Sequence, residues 1–245
     1  MKARAVLSTI VLVTAAAATF TFAGAPGGRG RGAVDTGPRG PAPNQTRSAT
    51  ATKAPDAEGF IQRWLVLEPI PISISSNAVL TDSWVQRTVK TDYFPNQLAV
   101  IPHDGDKVTT ANGTQVPWHA VDTSVYNVNL YHFAYALNKS QFNSIYWAVT
   151  VIDCPEEMRS VRLLVGSNAS SIWWVNGKEV IDLYGDRHMM VDDGASKRLT
   201  LNKGPNVVRC AVVNGPGVSD FCARFLDKDD VPIKNFTVNL GATEK

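Results

Sequence analysis

The sequence predicts an all-β chain, an antiparallel β-sandwich of jelly-roll type with one short helix. Three observations carry this. From Ser160 onward short apolar runs recur at regular spacing, turn-forming dipeptides separate them, and only one segment carries a helix-start signal. The plainest hairpin is Ser171-Ile172-Trp173-Trp174-Val175-Asn176-Gly177-Lys178-Glu179-Val180, two β-type runs joined by Asn-Gly. Asn-Gly supplies the positive φ angles of a type I′ turn. Neighbouring strand residues point to opposite faces, so Trp173 and Trp174 share one core only if the strand is covered on both sides. One indole is therefore core, and the other is a candidate platform for a flat ligand such as a sugar ring.

The elements follow in order. Residues 1–23 read as a signal peptide: Lys2 and Arg4 form a basic start, Ala5 to Ala18 is mostly apolar, and small residues close the segment at Ala23. The chain is thus expected to be secreted, or periplasmic and in the cell envelope, with no membrane span in its mature form. Residues 24–58 are rich in Gly, Pro and Ala with scattered cations, and read as a disordered tether. Residues 59–245 form the expected β-sandwich domain.

Of the 24 Lys and Arg, two fall in 1–23 and five in 24–58, which leaves 17; of the 22 Asp and Glu, three fall in 24–58, which leaves 19. A slightly acidic domain argues against nucleic acid as a partner.

Within the domain, Phe60 to Ile70 reads as an opening strand that Pro69 and Pro71 end. Thr81-Asp82-Ser83-Trp84, followed by Val85 and Val89, predicts a helix from about 82 to 91. Asn127 to Leu137 and Ser144 to Asp153 are apolar-rich runs. Alternation in the first sets Tyr131, Phe133 and Tyr135 on one face and Leu130, His132 and Ala134 on the other. The remaining strands are Val161 to Gly166, Ser171 to Val175, Lys178 to Leu183, Lys197 to Leu201, Asn206 to Val213, Phe221 to Leu226 and Ile233 to Val238. Three cysteines, Cys154, Cys210 and Cys222, are an odd number for an exported chain. Arg209 and Arg224, turned outward, set Cys210 inward and Cys222 outward, which disfavours a bridge between them.

The order Trp64-Leu65-Val66-Leu67-Glu68-Pro69, Tyr146-Trp147-Ala148-Val149, Val161 to Asn168, Trp174-Val175-Asn176-Gly177-Lys178, Leu199 to Asn206 and Phe221 to Asp227 resembles the galactose-binding-like β-sandwich modules. These are ancillary, carbohydrate-binding modules of bacterial carbohydrate-active enzymes, including proteins labelled acetylxylan esterase. The resemblance covers about Phe60 to Val238. It differs at Glu68, where Gly is common in the family, and in that no catalytic domain follows the sandwich. It sets Trp174 at a recurring position of the fold, which makes Trp174 the expected core indole and leaves Trp173 free for ligand.

The functions considered from the residues are three. An exported non-catalytic module would bind a polysaccharide or glycoconjugate through Trp173 and the polar loop residues Tyr184, Asp186, Arg187 and His188, which supply an aromatic face, an acceptor and forked donors. A carbohydrate esterase, or its ancillary part, would need a nucleophile. Ser167 and Ser219 are the candidates, but neither has the second glycine of a Gly-x-Ser-x-Gly elbow, so no catalytic residue is assigned. An envelope module with a protein partner would use the same aromatics as a hot spot. No cofactor is expected. The Asp104-Gly105-Asp106 and Asp192-Asp193-Gly194 turns could ligate a structural calcium, although no full ligand set stands at a recognisable spacing.

Overall fold

A computed structural model describes residues 42, 44–74, 81–185 and 187–240. The expected signal at 1–23, most of the expected tether, and Asp186 lie outside these residues. The described elements are β1 (Gln45–Arg47), β2 (Thr52–Lys53), β3 (Arg63–Leu67), β4 (Ile70–Pro71), α1 (Asp82–Lys90), β5 (Lys107–Thr109), β6 (Gln115–Thr123), β7 (Val128–Asn129) and α2 (Leu130–Ala136). They continue with β8 (Ser144–Cys154), β9 (Met158–Ser167), β10 (Ser170–Val175), β11 (Lys178–Leu183), β12 (Gly194–Ala195), β13 (Leu199–Leu201), β14 (Gly204–Asn214), β15 (Asp220–Leu226) and β16 (Thr237–Asn239). All pairings are antiparallel, as the fold class predicts.

Two sheets face each other. The large one runs β1-β6-β3-β8-β14-β10-β11, with β4 and β16 also on β8, β2 on β16, and β5 on β6. The small one runs β12-β9-β15-β7, with β13 also on β9. Alternation along each strand sends every second side chain between the sheets. That inner layer gathers Trp64, Trp173 and Phe221 with Tyr146, Leu163, Val208 and Phe225. Trp64 meets Phe221 edge-on at 5.0 Å and Trp173 at 6.1 Å.

The large sheet also buries its other face. Leu65, Trp118, Trp147, Val149, Ile172, Trp174 and Val213 point outward there and pack under α1 and the chain that follows it. Thr81 caps α1 by accepting a hydrogen bond from the Trp84 backbone N–H, and Val85 and Val89 are the helix residues buried on the sheet. The helix thus stands where Thr81-Asp82-Ser83-Trp84 predicts it.

Three expectations are corrected. Trp173 is the core indole, 0% exposed, with Nε1 donating to Ser171 Oγ at 2.9 Å, so it is not free for ligand. The parity of β10 was right, but both faces of the strand are covered. The Asn127 to Leu137 run is not one strand. After the two residues of β7 it becomes α2, capped by Asn129 Oδ1 accepting from the His132 N–H at 2.8 Å. Leu130, Phe133 and Ala134 are its buried face, the i, i+3, i+4 pattern of a helix.

The third correction concerns the tether. Its last part is ordered: β1 pairs with β6 and β2 with β16. Polar contacts, not apolar ones, hold it. Arg63, fully buried, pairs with Asp122 at 2.8 Å and donates to the Thr50 carbonyl at 2.9 Å, while Ser48 Oγ donates to Asp122 at 2.7 Å.

The Asn-Gly hairpin forms as predicted, with φ of 49° at Asn176 and 78° at Gly177. Its Asn176 side chain is also structural: Oδ1 accepts from the Val207 N–H at 2.8 Å and Nδ2 donates to Asn206 at 2.9 Å. The three cysteines are free and buried. Cys210 lies in the inner layer, whereas Cys222 is opposite Gly166 on the other face of the small sheet. A methyl group at Gly166 would stand 2.0 Å from the Met190 carbonyl oxygen, so only glycine lets that segment lie against β9.

Candidate functional site

The outer face of the large sheet carries an open cavity of about 860 Å³. Its floor comes from alternation. Val149, Arg209, Trp174 and Glu179 stand side by side on four adjacent strands, β8, β14, β10 and β11. The β10–β11 register shifts between Trp173 and Trp174, which brings Glu179 opposite Trp174. Trp174 and Ile172 line the floor. The Trp174 indole is 6% exposed and stacks on Trp147 at 5.9 Å with 21° between the planes. Phe94 meets Trp147 edge-on at 5.9 Å and Trp118 at 6.3 Å, completing an aromatic bed.

The far wall is the chain between α1 and β5, fixed by two side chains. Gln97 donates to the Thr91 carbonyl at 2.8 Å and accepts from the Tyr93 N–H at 2.9 Å, which ties off the end of α1. Arg209, buried on the sheet, donates to the Gln97 carbonyl at 2.7 Å and the Val100 carbonyl at 2.6 Å. Burial lowers its guanidinium pKa to about 10, so the side chain is still charged at neutral pH. Asp92, Tyr93, Asn96, Thr109 and Lys90 line the walls with Glu179. Burial raises the Tyr93 phenol above its ordinary value, leaving a neutral hydroxyl. The cavity therefore offers an aromatic floor with carboxylate, amide, hydroxyl and ammonium groups around it.

The structure does not bring the loop residues expected from sequence into one site. Trp173 faces the core. Tyr184 packs on the outer face with Trp174, and its hydroxyl accepts from Gln86 Nε2 at 3.0 Å; burial is the main cause of its raised pKa. Arg187 pairs with Asp193, and its carbonyl accepts from the Ala169 N–H at 3.3 Å. His188 is exposed. The sequence reasoning missed Trp174, Tyr93 and Glu179. The parity of the hairpin was the available signal, since it already set Trp174 on the face opposite Trp173.

The serines considered for hydrolysis are both fully buried. Ser167 Oγ lies 3.2 Å from the Ala169 carbonyl oxygen, to which it donates, and 2.8 Å from Ser171 Oγ. The glycine before it serves the Met190 contact rather than a nucleophile turn. Of the aspartates put forward for calcium, three are engaged by cations, Asp104 by Arg47 at 2.9 Å, Asp192 by Arg224 at 3.0 Å and Asp193 by Arg187, and Asp106 accepts from the His103 backbone N–H at 2.8 Å. Among the described residues, no group of three or more His, Cys, Asp or Glu side chains is placed to hold a metal ion.

No family model matches the chain, and no curated protein matches it. Solved structures do show similarity. The PA14 sugar-binding domain of an RTX adhesin is 12% identical, covers 72% of this chain and 96% of its own length, and has a TM-score of 0.38. The PA14 domain of the MpAFP antifreeze protein is 7% identical over 81% of this chain and 97% of its own, with a TM-score of 0.43. A β-glucosidase from Kluyveromyces marxianus is 15% identical over 64% of this chain and 19% of its own, with a TM-score of 0.35. No described helix is long and apolar enough to cross a membrane.

Proposed function

We propose that this chain is an exported, non-catalytic β-sandwich module that binds carbohydrate in the cavity over Trp174. The observation that carries the reading is the floor of Trp174 and Ile172 beneath walls bearing Asp92, Asn96, Thr109 and Glu179. A pyranose has an apolar C–H face and a rim of hydroxyls. Recognition asks for an aromatic surface on one side and converging donors and acceptors around it. The resemblance of Trp174-Val175-Asn176-Gly177-Lys178 to galactose-binding-like modules supports the same ligand class, and the company of acetylxylan esterases makes acetylated xylan a first ligand to try.

Affinity gels containing xylan, galactan, mannan or cellulose, followed by a glycan array, test the proposal. The expected result is retardation by at least one glycan, weakened about tenfold or more by Trp174→Phe and by Glu179→Gln. Both variants should keep the native fold by circular dichroism. Absence of retardation on all four gels and of signal on the array rejects the reading. A stoichiometric protein partner captured without glycan dependence would replace it with the protein-interaction reading.

A further inference from the structure

The chain carries three Asn-Gly pairs, Asn112-Gly113, Asn176-Gly177 and Asn214-Gly215, and the fold holds them differently. Asn176 is tied at both ends of its amide: Oδ1 accepts from the Val207 N–H and Nδ2 donates to Asn206. Asn214 is buried, and its Nδ2 donates to the Gln141 carbonyl at 2.8 Å and the Gly217 carbonyl at 3.0 Å. Asn112 stands in the exposed turn between β5 and β6. Its Oδ1 accepts from the Thr114 N–H at 3.1 Å and from the Thr110 hydroxyl at 2.5 Å. Among the described residues its Nδ2 has no hydrogen-bond partner.

This difference bears on a reaction that an Asn-Gly pair undergoes in water without an enzyme. Hydroxide takes the proton of the glycine N–H, and the nitrogen attacks the asparagine Cγ to close a five-membered ring. The two groups are neighbours in the chain, so the step is intramolecular. The Cγ–Nδ2 bond breaks, Nδ2 takes a proton and leaves as ammonia, and a succinimide remains. Water then opens the ring at Cγ to give aspartate, or at the backbone carbonyl to give isoaspartate, in which the chain runs on through Cβ and Cγ. At Asn112 the two donors on Oδ1 face the oxygen that becomes negative during attack, and no carbonyl retains the leaving nitrogen. A Cβ placed at Gly113 would meet nothing within 4 Å, so the fold does not crowd the nucleophile. One turn hydrogen bond, from the Gly113 N–H to the Thr110 carbonyl at 2.8 Å, has to open first. At Asn176 and Asn214 the leaving nitrogen is held by the fold, and the reaction waits on local opening.

The turn is coupled to the larger cavity. Thr109, Thr110 and Ala111 line it, and the Ala111 N–H donates at 2.9 Å to the carbonyl of Tyr93, a residue of the same walls. The Thr110 N–H closes the turn on the Thr114 carbonyl at 2.9 Å. Isoaspartate adds one carbon to the main chain between these two residues. We propose that Asn112 is a self-modification site, converted in the folded chain to aspartate and isoaspartate, and that its isoaspartate form frees Ala111 from Tyr93 and loosens the cavity wall. The chemistry does not depend on carbohydrate binding over Trp174.

The test is incubation of the full chain at mildly alkaline pH, folded and in urea, with peptide mass spectrometry of all three pairs and isoaspartate distinguished by fragmentation. In the folded chain Asn112 should convert at least about tenfold faster than Asn176 or Asn214, whose reaction carries the added cost of local opening. In urea the three should convert at comparable rates. Hydrogen exchange at the Ala111 amide should quicken as isoaspartate accumulates. Asn112→Gln, which would have to close a larger ring, should keep both its mass and its Ala111 exchange rate through the same incubation. The proposal is overturned if Asn112 converts no faster than the other two in the folded chain, if the same ranking persists in urea, or if Ala111 exchange does not follow the isoaspartate fraction.

Discussion

The two faces of the large sheet are both buried but in different ways. The inner face meets another sheet, and its side chains interlock as Trp64, Trp173 and Phe221 do. The outer face is roofed by one short helix, an irregular stretch up to β5, and the polar segment from Ser48 to Lys53. Hydrogen bonds from Arg209, Gln97 and Arg63 do much of the fastening. A sheet-on-sheet layer fills its space, because regular strands bring side chains at every step. An irregular roof reaches the sheet only where specific side chains pull it down, and the gaps become cavities. That is why the candidate ligand site lies on the outer face although both faces carry tryptophans.

The contrast can be broken by substitution, beginning with the inner face. Trp173→Ala removes a fully buried indole from an enclosed layer and should cost about 3–5 kcal/mol, read as a shift in the urea midpoint with little change in slope. If the loss were below about 1 kcal/mol, the inner layer would be no more tightly filled than the outer one.

Asp122→Asn should cost about 3 kcal/mol, because it strips the fully buried Arg63 guanidinium of its counter-charge. The same carboxylate gives a pH signature. Burial alone would raise the Asp122 pKa, but hydrogen bonds from Arg63 and Ser48, with the charges of Arg63 and Lys53, hold it below the ordinary carboxylate value. A group depressed in the native state contributes stability above its unfolded pKa of about 4, and that contribution is lost as pH falls through the native value. Urea titrations below about pH 4 should therefore show wild type losing more stability than Asp122→Asn.

Arg209→Met should have the smallest global effect, about 1 kcal/mol, since an apolar side chain replaces a buried cation that has no carboxylate partner among the described residues. Its local effect should be larger. Amides from 97 to 100 should exchange faster while those of β14 are unchanged, and the cavity over Trp174 should lose affinity for whichever glycan it retains.

The strands β9, β10, β11, β13, β14 and β15 were legible because two independent signals agreed there, alternation within each run and turn residues between runs, whereas the two-residue β12 falls at Gly194–Ala195, where Asp192-Asp193-Gly194 reads as a turn. Lys178 to Leu183 is the strand β11 without adjustment. Helix α1 was legible from its cap. Helix α2 was not, because Tyr126 to Tyr135 satisfies a period of two as readily as 3.6, and Asn129 reads equally as a turn residue or a cap. β1 and β2 were illegible for a different reason: besides their strand pairing, they and the residues between them are held by polar contacts, Arg47 to Asp104, Ser48 and Lys53 to Asp122, and Arg63 to the Thr50 carbonyl, which leave no hydrophobic trace. The double tryptophan gave the parity of the two indoles correctly. Which face lay open depended on residues 81–111, far away in sequence and the least patterned part of the domain.

The three buried thiols bear on how the chain must be handled. Burial pushes Cys154 up to about 11 and Cys222 up to about 12, and Cys210 well above its ordinary value. Thiol–disulfide exchange runs through the thiolate, which such values make scarce at neutral pH. Oxidants therefore act on this chain chiefly while it is unfolded, and a wrong disulfide formed then would have no place in the finished sandwich. The yield of native protein becomes a race between collapse of the two sheets and capture of a thiol, decided before the fold exists and closed once it does.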